Sequence, residues 1–399
     1  MKSINSVAAF AVVAGTLALT RATHAQWTVT NLHPAGATYS EASGTSGQKQ
    51  AGQAQVGGVY RASLWSGTAA SWVDLHPTGT LGSFASGISE VGQQAGWVEV
   101  GVVRRASLWS GTAASWVDLH PAGATTSAAY DASGGQQGGS ATVGGVQRAS
   151  LWSGTAASWV DLHPAGATAS AAIANTPGQQ SGYATFGGVY HACLWSGTAA
   201  SWVDLSPAGS TYSSANAIGG LQQAGWAIVD GVNRASLWSG TAASWVDLHP
   251  AGAAWSEASA VREGQQVGFA SVGGVDRASL WSGTADSWVD LHAFVPAEFS
   301  SSYATGISSN GVNTYITGFG YSTMTYRYEA LLWTGPYVEP PCPPCAADYD
   351  QDGGVTVGDI VEFFTDYEAG DACADVDGNG GVDGGDLGAF FAVFEAGGC

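Results

Sequence analysis

The chain has 399 residues, 45% of them hydrophobic and only 11% charged, with 58 glycines and 17 tryptophans. That supports a packed core, and a surface short of Lys and Glu suits strands and turns better than helices. The formal net charge of −20 excludes nucleic-acid binders, which carry basic patches, and it is unevenly spread. From Pro336 onward there are 14 acidic residues and no basic one, whereas residues 27–335 hold 17 acids against 9 bases.

Residues 1–25 predict a secretory signal. Lys2 gives the positive start, residues 7–19 an apolar stretch, and Thr23-His24-Ala25 small residues at the −3 and −1 positions before Gln26. An uncleaved anchor is the alternative, although about 13 apolar residues fall short of the roughly 20 a membrane span needs. No later segment is apolar enough to span, so a secreted, cell-surface or periplasmic protein is expected.

Six copies of an SLW/CLW-SGTA-x-SWVDL segment follow, with tryptophans at Trp65, Trp109, Trp152, Trp195, Trp238 and Trp281. Their spacings are 44, 43, 43, 43 and 43 residues, a period that marks a closed or stacked repeat. Cutting after each Leu-His (Leu-Ser at Ser206) gives seven units: 34–76, 77–120, 121–163, 164–206, 207–249, 250–292 and 293–335. In unit 164–206 four strands are expected, at 170–174, 179–185, 190–195 and 202–205, separated by Gly-rich turns and a loop at 196–200. Both faces of the third and fourth strands are apolar, as in a sheet sandwiched between neighbours.

Four strands in about 43 residues predict a mostly β, seven-bladed β-propeller-like domain over 26–335. The leftover piece 26–33 has the sequence of a fourth strand, and unit 293–335 lacks one. The N-terminal strand is therefore expected to close the last blade and remove the exposed edge. An open β-solenoid is the alternative. The Arg-Ala-Ser-Leu-Trp and Val-Asp-Leu segments resemble the HAF family of extracellular repeats, except that Ser63, Ser107, Ser150, Ser236 and Ser279 (and Cys193) stand where that family has Phe. The resemblance covers 27–335 and implies an exported repeat protein without a defined activity.

A residue present in every unit builds the repeat or serves several equivalent sites. Asp74, Asp118, Asp161, Asp204, Asp247 and Asp290 are expected to make strand-end hydrogen bonds. The histidines His33, His76, His120, His163, His249 and His292 end the outermost strands, too far apart to share a metal at ~2 Å ligand distance. Cys193 reads as a small buried residue. G-x-S-x-G and H-E-x-x-H are absent, and no catalytic residue is assigned. Non-repeated aromatics (Tyr39, Phe84, Tyr130, Tyr212, Trp255, Tyr303) lie near the first strands and could line a face for a glycan or protein ligand; the alternative is that the near-identity of the units reflects tandem copying alone. Non-repeated acids (Glu41, Glu90, Glu99, Asp131, Glu257, Glu263) are the candidates for a glycosidase-type pair.

Residues 336–345 form a Pro/Cys-rich linker, and 346–399 a small acidic module with two loops 27 residues apart. The first places Asp348, Asp350, Asp352, Gly354, Thr356 and Asp359 at loop positions 1, 3, 5, 7, 9 and 12. The second places Asp375, Asp377, Asn379, Gly381, Asp383 and Asp386 there. Oxygen donors at these positions, with Gly353 and Gly380 at the sharp turn, are what calcium requires, so two calcium ions are expected. Ile360, Phe363, Phe364 and Tyr367, then Leu387, Phe390, Phe391 and Phe394, predict a helix after each loop.

Over 342–399 this pattern is similar to a GC-type, type I-like dockerin, which implies an EF-hand-loop α domain docking a cohesin-like or cell-envelope protein through a calcium-shaped surface. Cohesin-binding dockerins have Ser/Thr at loop positions 10 and 11. Here those are Val357-Gly358 and Gly384-Gly385, so calcium carries over and the partner does not. Cys342, Cys345, Cys373 and Cys399 allow two disulfides in three connectivities. The whole reads as an exported, non-catalytic repeat protein, surface-attached through its tail, with the propeller as binding or structural part. A polysaccharide-binding or polysaccharide-degrading component of a cohesin–dockerin complex is the alternative.

Overall fold

In the computed structural model, residues 27–337, 346–347, 349 and 355–397 are described. The signal segment, most of the linker, Cys342, Cys345, Cys399 and the first-loop residues Asp348, Asp350, Asp352 and Gly354 lie outside them.

Seven four-stranded antiparallel sheets succeed one another around a ring, one to each unit and numbered blades 1 to 7 in chain order from 34–76 to 293–335. Blade 1 comprises Tyr39–Ser46, Lys49–Val56, Val59–Trp65 and Val73–Asp74. Blade 4 comprises Ala169–Thr176, Gln179–Phe186, Val189–Trp195 and Val203–Asp204, within two residues of the expected bounds. Its loop after Trp195 contains a 3-10 turn, Ala199–Ser201. Ser201 Oγ accepts from Ser196 N and donates to the Thr198 carbonyl, while Gln180 Oε1 accepts from Gly197 N. This explains the repeated Ser-Gly-Thr-Ala: it is a loop tied to its own blade.

Blade 7 is closed from the other end of the chain. Thr28–Asn31 pairs antiparallel with Arg327–Pro336, Val29 opposite Trp333, and Leu32 N donates to the Ala330 carbonyl at 2.8 Å. The protein is thus a closed seven-bladed propeller rather than an open solenoid.

The core sits between blades. Trp152 of blade 3 is fully buried against Ala106, Leu108 and Leu119 of blade 2, and every unit repeats this packing. Among the described residues the buried indole N–H groups of the six repeated tryptophans meet no acceptor, whereas Trp333 Nε1 donates to the Leu291 carbonyl at 3.0 Å. One expectation is corrected: the fourth strand is not covered on both faces. Val73, Val117, Val160, Val203, Val246 and Val289 are 37–40% exposed, because the outermost strand forms the rim and only its other face has a neighbour.

The tail holds two helices, α1 (Val357–Ala369) and α2 (Gly384–Ala396). Each starts on a capping box, Thr356 with Asp359 and Asp383 with Asp386, and ends on a left-handed glycine, Gly370 and Gly397. The predicted apolar faces meet: Phe363 and Phe390 are fully buried, their rings stacked at 3.9 Å.

Candidate functional site

The repeated polar residues close on each other. His76, ending blade 1, contacts Ser83 Oγ on the first strand of blade 2 through Nδ1 at 2.8 Å, and Ser83 Oγ also accepts from Ala62 N of blade 1. Its Nε2 faces the Thr80 carbonyl, so Nε2 carries a proton, and burial favours the neutral ring in which Nδ1 accepts from Ser83 Oγ. His33, His120, His163 and His249 repeat this clasp with Ser40, Ser127, Ser170 and Ser256. His292 makes the Nδ1 contact to Ser302. Burial holds His33, His76, His249 and His292 below the ordinary histidine value. In five of the six, both ring nitrogens are committed to their own clasp and none is left to hold a metal.

The repeated aspartates do more than was expected. Asp74 Oδ1 accepts from His76 N, and Oδ2 pairs with Arg61 at 2.7 Å. Arg105–Asp118, Arg148–Asp161, Arg234–Asp247 and Arg277–Asp290 are the same pair. The constant 13-residue spacing alone did not reveal these pairs, since only the pairing register brings Arg and Asp together. In blade 4 three residues change as a set: His191 takes the arginine's place against Asp204, Ser206 the histidine's, and Cys193 the serine's. Cys193 is free and buried, and burial pushes its thiol well up, so it is an inert packing residue.

What varies lies on the inner strands. Each carries a β-bulge, which leaves one residue out of register: Ser43, Ser86, Tyr130, Ile173, Asn216, Ser259 and Thr305. All seven line the central cavity. The bulge brings a carbonyl so close to the second strand that a β-carbon on Gly52, Gly96, Gly139, Gly182, Gly225, Gly268 or Gly318 would lie 1.8–2.1 Å from it. Those glycines are demanded by the bulge.

The expected acids divide. Asp131 follows the bulge of blade 3, where the other blades have Gly or Ala; its carboxylate accepts from Ala132 N and Asn175 N. Asn175 is itself buried and accepts from Gly138 N, a glycine whose absent side chain leaves it room. Burial raises Asp131 to about 6, with the nearby Glu90 adding to the shift, and Ser133 Oγ donates to Glu90. Glu257, three blades away, is raised to about 7 by burial despite the hydrogen bond from Asn216. Glu41 accepts from Tyr39, Glu263 pairs with Arg262, and Glu99 stands on the second strand of blade 2. So Glu90 stands within electrostatic reach of Asp131, and the rest are held by other partners.

Of the non-repeated aromatics, Tyr39, Phe84, Tyr212 and Tyr303 contact rings on second and third strands rather than one another. Tyr39 contacts Tyr60 and Tyr328, Phe84 contacts Trp97, and Tyr303 stacks on Phe319.

In the second tail loop Asp375, Asp377 and Asp386 offer carboxylate oxygens within 4.8 Å of one another. Asp375 accepts from Asn379 N and Gly380 N, and Gly380 turns the chain at φ +91°. Backbone N–H groups of Asp383 and Asp377 hold Asp386 below the ordinary carboxylate value. In the first loop Thr356 and Asp359 are described; Asp359 accepts from Thr356 N.

No family model matches the sequence, and no curated protein does. Solved structures do match. The β-propeller domain of the Trilobed protease from Pyrococcus furiosus, described as having an open velcro topology, is 10% identical; the match covers 77% of this chain and 100% of that one, with a TM-score of 0.52. An acylaminoacyl peptidase in complex with Z-Gly-Gly-Phe-chloromethyl ketone is 9% identical, with 76% of this chain and 53% of that one covered, again at 0.52. At these identities the likeness is one of fold: the chain is a β-propeller protein.

Proposed function

We propose that the protein is an exported binding scaffold, in which the propeller presents a ligand-binding inner surface and the tail attaches it through calcium. The observation that carries this reading is the division of labour within each unit. The outer strands, clasps and ion pairs repeat almost unchanged, while the substitutions fall on the inner strands and their partners. A chain selected only to fill space has no reason to concentrate its variation there.

The donor set of the tail fits a hard cation. Asp375, Asp377, Asn379, Asp383 and Asp386, with the Gly381 carbonyl, would hold one ion; Asp348, Asp350, Asp352, Thr356 and Asp359, with the Gly354 carbonyl, the other. Three converging carboxylates with no Lys or Arg from Pro336 onward repel one another unless a cation joins them. Dockerin-like attachment to a cohesin-like or cell-envelope partner, and a disulfide framework around Cys373, belong to the same proposal. Titration calorimetry should find two calcium sites, with helical signal lost on chelation. Pull-down with calcium-loaded protein on its own cell envelope should recover a partner that EDTA releases. Failure of both sinks the attachment reading.

A polysaccharide-degrading role has one observation in its favour, the raised, buried carboxyl of Asp131 within electrostatic reach of Glu90. Hydrolysis of plant or algal polysaccharides that disappears in Asp131→Asn would establish it.

A further inference from the structure

We propose that the groove between blades 2 and 3 binds a carboxylate-bearing sugar residue, a uronic acid, with Arg104 as its anion receptor. This rests on the propeller being the binding part of the protein, and it names a ligand class and a site.

Among the described arginines, Arg104 is the one with no carboxylate within 4.0 Å; Arg61, Arg105, Arg148, Arg234, Arg262, Arg277 and Arg327 are all ion-paired. Arg105, its neighbour, makes the repeated pair with Asp118, so Arg104 is surplus to the framework. The other copies have Tyr60, Gln147, Tyr190, Asn233 and Asp276 at this position. Its guanidinium carbon lies 4.0 Å from the Trp97 ring centroid, and Trp97 is packed against Phe84. The cation is exposed, unpaired and yet oriented by the indole face.

Arg104 borders a pocket of about 240 Å³ whose wall is otherwise neutral and rich in hydroxyls and amides: Thr126, Tyr130, Ser140, Thr142 and Gln147. Tyr130 OH and Gln147 Nε2 both bond Ser140 Oγ, at 2.9 and 3.2 Å, which fixes that side. The hydroxyls of Thr126 and Thr142 have no partner among the described residues. The pocket has room for one sugar ring, with the rest of an oligomer free to lie outside it. A guanidinium fork matches a carboxylate in two parallel hydrogen bonds, and the hydroxyl and amide groups match the hydroxyls of a sugar.

Charge selects a monoanion. There is one cation in the pocket and no carboxylate. Glu99 pairs in register with Arg104, its oxygen turned toward Gly82, and the ring as a whole is acidic. A dianionic phosphate would need more positive charge than one arginine supplies.

The test uses the calcium-loaded, signal-cleaved protein. Tryptophan fluorescence and calorimetry would follow titration with galacturonate and glucuronate oligomers, the matching neutral oligosaccharides, acetate and inorganic phosphate. Uronates should bind and perturb fluorescence. Arg104→Gln should weaken them at least about tenfold without altering the melting temperature, and Tyr60→Phe, the same position in blade 1, should leave affinity unchanged. Wild-type affinity in Arg104→Gln would overturn the proposal, as would phosphate or acetate binding as tightly as the uronate. Neutral glycans that bind while uronates do not would overturn it and leave the scaffold reading standing. A protein that binds no glycan of either kind overturns the proposal and weakens that reading with it.

Discussion

Blades 1 to 6 and blade 7 reach one geometry with different residues. In the six, a continuous unit supplies all four strands and Arg–Asp pairs fasten the third strand to the fourth; blade 4 uses His191 for the arginine. In blade 7 the polarity reverses: Glu329 occupies the arginine position and Asn31 the aspartate position, joined by Asn31 Nδ2 to Glu329 Oε2 at 2.6 Å. Burial alone would raise Glu329, but hydrogen bonds from Thr325, Arg327 and Asn31 hold it below the ordinary value. The fold needs a charge-assisted link there, and it does not need a particular sign. The seam differs in a second way, since its tryptophan is hydrogen-bonded and the other six are not.

The largest effect should come from breaking the seam itself. Deleting residues 27–33 removes the fourth strand of blade 7 and the His33 clasp. The shortened chain should lose its cooperative calorimetric transition or aggregate, and an unchanged melt would show that closure contributes nothing.

Next in size is the clasp. Ser170→Ala strands the Ala149 N–H and His163 Nδ1 and should cost about 1–3 kcal/mol in urea unfolding. Ser213→Ala should cost less, because Ser206 there replaces the histidine and keeps His191 as a partner. Equal losses would mean that the histidine adds nothing.

The inner strand offers the same comparison with a pH axis. Ser214 in blade 5 corresponds to Glu257 in blade 6, whose folded value of about 7 lies above the ordinary 4.5. A raised carboxyl stabilises the fold while protonated, and that stability is lost as pH rises from about 4.5 to about 7. Glu257→Gln should therefore exceed wild type near pH 8 by about 1–3 kcal/mol and match it near pH 4. His33, His76, His249 and His292 act with the opposite sign. Their values are depressed, so their contribution is full above 6.5 and is lost as pH falls through the folded values.

The smallest effect is a difference between two identical substitutions. Trp333→Phe removes an indole hydrogen bond and Trp152→Phe removes an unsatisfied N–H, so the first should be the less stable by about 1 kcal/mol. Equal stabilities would mean that water already serves the six buried indoles.

Blade number, strand order and closure were legible because period, alternation and complementary ends are properties of the sequence itself. The Arg61–Asp74 pair and the Ser83 clasp were not, because they depend on pairing register and on contact between blades. The bulges escaped for a related reason. Gly52 looks like any strand glycine until the carbonyl of Glu41 is found against it. Asp131 could be picked out as non-repeated, but its partners Asn175 and Gly138 lie 44 and 7 residues away and take meaning only once blades 3 and 4 are side by side. In the tail, loop spacing and helix faces were readable together because both are local.

The bulge also bears on how such a chain can change. Duplicating a 43-residue stretch of gene adds a wall segment whose bulge position can accept almost any side chain, as Ser, Tyr, Ile, Asn and Thr already show. The glycine opposite absorbs the distortion, so mutation there is decoupled from whether the ring assembles. The inner surface behaves as a seven-letter word whose letters can be exchanged while the frame around them stays the same.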